Sequence, residues 1–204
     1  MTVVTVQPLK EEHLAVNISN ESYDAYSIYV SEFEDCVDEN KEHMYQWLER
    51  NVTCPFIFIF ACSDYLGMEE SYRLTSLGVE FEHKIYGKNQ AKENFYFISI
   101  QAHEQLRVLL DEYYYLAEQN EFMMVADTKT FVEVKEYHVS KTHCYSIVDC
   151  TLEKHEGFAM IVDHDGRGIQ LITTDKRWSG KNNLLRTLAD AHLEQWDNEY
   201  YGLK

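Results

Sequence analysis

A chain of 204 residues with a formal net charge of −17 at pH 7, 45% hydrophobic and 14% aromatic, carries enough apolar material for one substantial core. Only 8 Gly and 2 Pro argue against disorder and long linkers, and the acidity argues against nucleic acid, whose phosphates need clustered Lys and Arg. No apolar run approaches the roughly 20 residues that span a bilayer, and no secretory leader pattern precedes Val30, so a cytoplasmic, membrane-free protein is expected.

Along the chain, Thr2 to Val6 alternates as a short strand, and Leu9 to Leu14 follows Pro8 as a turn or short helix. Ser31 to Arg50 predicts an amphipathic helix. Phe33, Cys36, Val37, Met44, Trp47 and Leu48 share one side at about 100° per residue, while Glu32, Asp35, Asp38, Glu39, Glu42 and Glu49 share the other. The uninterrupted apolar run Phe56 to Phe60 predicts a central strand covered on both faces. Gly67 to Leu77 predicts a helix stopped by Gly78, after which Val79, Phe81, His83 and Ile85 alternate with polar neighbours as a half-buried strand.

A turn at Tyr86 to Asn89 leads to a strand over Asn94 to Ile100. Leu106, Leu109, Leu110, Tyr113, Leu116 and Ala117 then define a helix from about Gln101 to Asn120. Tyr113, Tyr114 and Tyr115 cannot all face a core from one helix, so at least one is expected at the surface or an interface. Further strands are predicted over Phe122 to Ala126, Thr130 to Tyr137 and Tyr145 to Leu152. Phe158 to Val162 and Ile169 to Thr173 flank the turn-forming Asp163 to Gly168 as a hairpin. Trp178 to Trp196 predicts a closing helix, with Leu185, Leu188, Ala189, His192 and Trp196 on its buried face. The stretches 55 to 86 and 94 to 127 each read strand, helix, strand. The pattern is α+β: one domain over residues 1 to 204, with a mixed or mainly antiparallel sheet flanked by about four helices.

Motifs that carry chemistry are scarce. Neither a Gly-rich phosphate loop nor a G-x-S-x-G elbow is present. His138, His143, Cys144 and Cys150, with His155 nearby, lack the paired spacing of zinc ligands, and His103-Glu104 lacks the second histidine of H-E-x-x-H. Asp163, Asp165 and Gly166 open like a calcium loop, but no glutamate closes it. No cofactor and no metal are therefore expected. Five scattered cysteines favour reduced thiols over a disulfide framework.

What remains is acidity and 15 tyrosines, the equipment of a recognition surface. In composition, though in no motif, the chain resembles small acidic immunity proteins of bacteria, and that resemblance implies a non-enzymatic binding protein that neutralises a basic protein partner. Its expected contact residues are Glu32, Asp35, Asp38, Glu39, Glu42 and Glu49, with Arg167 at the hairpin tip as a grip for a carboxylate. The alternative is a small enzyme or ligand-binding domain built on His143, Cys144, Asp163 and His164 of the C-terminal half.

Overall fold

In a computed structural model the described residues are 3–30, 37–87, 92–138, 144–188 and 192–193. The elements in chain order are β1 (Val3–Pro8), a 3-10 turn (Glu11–His13), β2 (Asn17–Ile18), β3 (Asp24–Val30), α1 (Val37–Asn51), β4 (Phe56–Ser63), α2 (Asp64–Ser76), β5 (Phe81–Tyr86) and β6 (Glu93–Ile100). There follow α3 (His103–Glu118), β7 (Met123–Asp127), β8 (Phe131–His138), β9 (Cys144–Thr151), β10 (Phe158–Val162), a one-turn segment (His164–Gly166), β11 (Ile169–Thr173), α4 (Lys181–Thr187) and β12 (His192–Leu193).

Nine strands form one sheet in the order β12-β1-β3-β11-β10-β7-β4-β6-β5, antiparallel at every junction except the parallel β1–β12 pair. The remaining strands make a small sheet, β2-β9-β8. The fold is α+β, as the sequence pattern indicates. Within the large sheet, β4–α2–β5 brackets β6 while β6–α3–β7 brackets β4. Two strand–helix–strand units thus interlock in the order β7-β4-β6-β5, that of the split βαβ or ferredoxin-like motif.

The two faces of the large sheet are built differently. Phe56, Phe58, Phe60 and Cys62 of β4, with Tyr96, Ile98 and Ile100 of β6, face α1, α2, α3 and α4 and form the larger core. Ile59 and Ala61, with Met124, Ala126, Ala159, Ile161 and Ile172, face the small sheet and meet its Val134, Val148 and Cys150. A strand that contributes side chains to both cores needs apolar residues at every position, which explains the unbroken run in β4. Large rings suit the gap under the helices, where Phe60 stacks on Tyr96 at 4.9 Å and on Tyr113 at 4.5 Å. Alanines on the opposite face let the second sheet approach closely.

Several sequence expectations need correction. Among the described residues the closing helix is one segment of seven residues, and His192 and Leu193 pair as a strand with Val3 and Val4, while Ala189 and Trp196 of the predicted buried face lie outside the described residues. The apolar period continues past Leu188, but edge pairing to β1 satisfies the backbone instead. Strand β5 lies at the other edge, so Ile85 is 56% exposed rather than inward, and Tyr86 packs edge-on against Phe95. None of Tyr113, Tyr114 and Tyr115 is exposed: the first two are buried and the third is half-buried. Strand β3, with Tyr26 and Ile28 in the larger core, carries no sequence expectation at all. The start of the acidic helix, including Glu32, Phe33, Asp35 and Cys36, lies outside the described residues.

Candidate functional site

Helix α1 owes its orientation to its inner side. Asn40, Met44, Trp47 and Leu48 are buried. The Trp47 indole donates to Thr187 Oγ1 of α4 at 3.0 Å and tilts against Trp178 at 4.9 Å. Such an anchored ring fixes the rotation of the helix about its axis, and Asp38, Glu39 and Glu49 consequently point to solvent.

Glu42 does not. It faces α3, where Arg107 Nη1 reaches its carboxylate at 2.5 Å, and it also accepts from Gln46 at 2.7 Å. The expectation that Glu42 faces only water is therefore corrected: it is the α1 half of an interhelical pair. Arg107 continues to Asp111 at 3.7 Å and lies over the Tyr45 ring at 4.7 Å, while the Tyr45 hydroxyl donates to Glu49 at 3.1 Å. Lys41 spans the same seam, 3.3 Å from Asp38 and 3.2 Å from Asp111. Partial burial alone would lower the Lys41 ammonium, but hydrogen bonds and charge from Asp111 and Asp38 hold it above its ordinary value. Exposed pairs of this kind contribute about 0–1 kcal/mol each, so their main effect is to fix how α1 sits on α3.

The seam leaves a negative surplus. Over the described spans of α1 and α3 stand eight carboxylates, Asp38, Glu39, Glu42, Glu49, Glu104, Asp111, Glu112 and Glu118, against three cations, Lys41, Arg50 and Arg107. Glu112 meets Arg73 of α2 at 3.5 Å. Asp38, Glu39, Glu49, Glu104 and Glu118 are exposed and outnumber the cations that could neutralise them. The contribution of α3 escapes a sequence reading, because only its own Arg107 and Asp111 show the i, i+4 spacing, and nothing in the chain says that this pair lies against α1.

Arg167 belongs to the same neighbourhood. The β10–β11 hairpin tip folds onto the helices: Asn40 Nδ2 donates to the Arg167 carbonyl at 2.8 Å, the Tyr114 hydroxyl donates to the Gly166 carbonyl at 3.2 Å, and the Asp165 amide donates to Asn120 Oδ1 at 3.0 Å. Asp165 and Gly166 both take positive φ, 61° and 68°, as a tight tip requires. The Arg167 side chain is exposed beside the first turns of α1. The structure thus brings together the two candidate regions that the sequence places far apart.

Under the other end of α3 lies a buried polar cluster that the sequence did not announce. Glu70 of α2 has a side chain only 3% exposed; Tyr115 donates to it at 3.3 Å and Arg73 stands 3.8 Å away, while its Oε2 has no hydrogen bond. Burial first, then the Glu70 charge, pushes the Tyr113 hydroxyl far above its ordinary range. At its rim the exposed His83 stacks on Tyr96 at 4.6 Å and bonds Asn94 Oδ1 at 2.9 Å. Burial, with Glu70 and Glu121 nearby, drives the adjacent Cys62 thiol up to about 12, so at neutral pH it is a protonated hydrophobe rather than a nucleophile. Cys54, Cys62 and Cys150 are free thiols.

Of the other chemistry-bearing residues, His155 is exposed and Asp163 half-buried, whereas His143 and the side chains of His138, Cys144 and His164 lie outside the description. Among the described residues no group of three or more His, Cys, Asp or Glu could hold a metal, and no helix is long and apolar enough to cross a membrane. No family model, no curated protein and no solved structure matches the chain, so the split βαβ order stands as a topology without a functional relative.

Proposed function

We propose that the chain is a non-enzymatic binding protein that holds a basic protein partner against the α1–α3 face, in the manner of an immunity or inhibitor protein. The reading is carried by one observation: eight carboxylates against three cations on two adjacent helices whose inner sides are committed to the core. A surplus of this kind steers a basic surface into encounter and penalises acidic competitors. Arg167, at the margin of the face, supplies a donor fork for a carboxylate on the partner, which would set its orientation.

The geometry dictates which residues to reverse. Glu42 is unsuitable, since a lysine there would confront Arg107 and disturb the helix seam. Asp38, Glu39 and Glu49 are exposed, and their replacement leaves the Arg107 contacts with Glu42 and Asp111 intact. Capture from native extract on the wild-type protein and on D38K/E39K/E49K identifies the partner, and stopped-flow mixing with the purified partner then measures association. A basic protein should be retained at low salt and released at high salt, and the triple variant should slow its association about tenfold or more at low salt while differing little at high salt. An unchanged rate and salt dependence in the variant would remove the α1–α3 face from the function.

A further inference from the structure

Four strands close the two sheets, β12 and β5 the large one and β2 and β8 the small one. β12 and β2 have two residues each and β5 has six, whereas β8 runs for eight, Phe131–His138. Its register on β9 passes from Phe131↔Thr151 to His138↔Cys144 without a bulge, and it contains neither Pro nor Gly. Among the described residues no strand pairs with its other side. Such an edge presents a row of amides and carbonyls to other chains, and natural proteins usually blunt it with a bulge, a proline or a charge.

Of these guards β8 has charge alone, and the charges are placed symmetrically. Val132 and Val134 turn inward to the smaller core, so Phe131, Glu133, Lys135 and Tyr137 turn outward, with Phe131 63% and Tyr137 54% exposed. About Val134 this outward set is a palindrome of types: aromatic, acid, base, aromatic. Antiparallel pairing with a second β8 about Val134 sets Glu133 opposite Lys135 and Phe131 opposite Tyr137, each pair twice. On the inner side Val134 then meets its own copy, and Val132 meets the stem of Glu136. Edge charges deter a strand of unmatched pattern, but this pair admits the chain's own copy. The pair also has capacity left. Within one chain Lys135 Nζ stands 3.2 Å from Glu133 Oε2 and 2.5 Å from Asp149 of β9, which leaves a third N–H of the ammonium and Glu133 Oε1 for the copy.

We infer that β8 is the contact edge of a homodimer, in which two chains pair β8 with β8 antiparallel about Val134 and join their small sheets in the order β2-β9-β8-β8-β9-β2. The contact is isologous, so it closes at two copies and does not propagate. It lies on the far side of the large sheet from α1 and α3, so it does not rest on the proposed partner binding and can fail or succeed alone.

Sedimentation velocity on the full chain, from about 1 to 500 µM at about 0.15 M salt, which screens much of the net charge of −17, measures the association. One strand pair buries less than a standard interface, so a dissociation constant of about 10–100 µM is expected. Glu133→Lys and Lys135→Glu each set like charges opposite one another on both sides of the axis, and each should weaken the dimer about tenfold or more. The double variant E133K/K135E restores the match across the axis and keeps a base opposite Asp149, so it should return to within about threefold of wild type. Phe131→Ser should weaken the dimer about fivefold. All these positions are exposed, so melting temperature and circular dichroism should not change, and Ile85→Lys on the other long edge, β5, should leave the dimer as it is. A monomer throughout the concentration range, single reversals without effect, a double variant no tighter than the single ones, or a dimer dissolved by Ile85→Lys would each overturn the inference.

Discussion

The α1–α3 face and the end of the large sheet that holds Asp127 and Asp175 are both places where cations or amides meet carboxylates, yet the carboxylates are spent differently in the two. On the helical face most carboxylates sit at the surface with lone pairs to spare, and two of the three cations, Lys41 and Arg107, are drawn into the seam between helices. At the far end of the sheet Asp127 and Asp175 are turned inward and filled, Asp127 by the Lys129, Thr130 and Phe158 amides and the Thr130 hydroxyl and Asp175 by Arg177, while Glu156 beside Lys129 stays exposed. What a ligand meets is the unspent hydrogen-bonding capacity of a surface, which the formal charge of its residues does not report.

The sharpest way to break the contrast is Asp127→Ala. Four donors, the amides of Lys129, Thr130 and Phe158 and the Thr130 hydroxyl, lose their acceptor at once, so stability should fall by about 3 kcal/mol, read as a shift of the urea midpoint at unchanged slope. A similar magnitude is expected beneath the acidic face from His43, whose imidazole burial first, and the Arg50 charge second, press down to about 4. The folded chain keeps His43 neutral while the unfolded chain protonates it below its ordinary value of about 6.5, so stability is full above that pH and declines as pH falls toward 4. The loss should total about 3 kcal/mol at most, and His43→Gln should flatten that part of the acid limb in denaturant titrations at several pH values.

Smaller effects separate packing from charge on the same helix. Trp47→Phe removes the hydrogen bond to Thr187 and part of the contact with Trp178, and should cost about 1–2 kcal/mol, read by thermal melting. Glu42→Gln, which discharges the exposed pair with Arg107, should cost under about 1 kcal/mol, with the difference shrinking at high salt. If Glu42→Gln proved as damaging as Asp127→Ala, the distinction between an exposed carboxylate and a filled one would collapse.

Much of this architecture is legible in the sequence where local pattern and tertiary fate agree. The unbroken run of β4, the i, i+3, i+4 spacing of α3 and the Asp163 to Gly168 turn each specify an element without help from elsewhere. Pattern misleads at the C-terminus, because helical spacing through His192 is overruled by an edge place beside β1. It is silent at β3, where Asp24 and Ser27 interrupt the apolar run although Ser27 is buried. At the candidate sites, α1 is readable because a helix displays its outer face in its own spacing. Its pairing with Arg107 is not, and neither is the filling of Asp127, because only the register of β4, β7 and β10 brings the Phe158 amide to that carboxylate.

The interlocked order of β4 to β7 also has a consequence for synthesis. Strand β4, the most apolar stretch of the chain, finds its two partners only in β6 and β7, which follow it. At a translation rate of about 5–20 residues per second, the roughly 60 residues between the end of β4 and the start of β7 take about 3–12 s to emerge. Through that interval Phe56 to Phe60 leaves the ribosome with both edges open, a segment suited to a nascent-chain chaperone and to aggregation in its absence, and slower codons across residues 64–122 would lengthen the exposure.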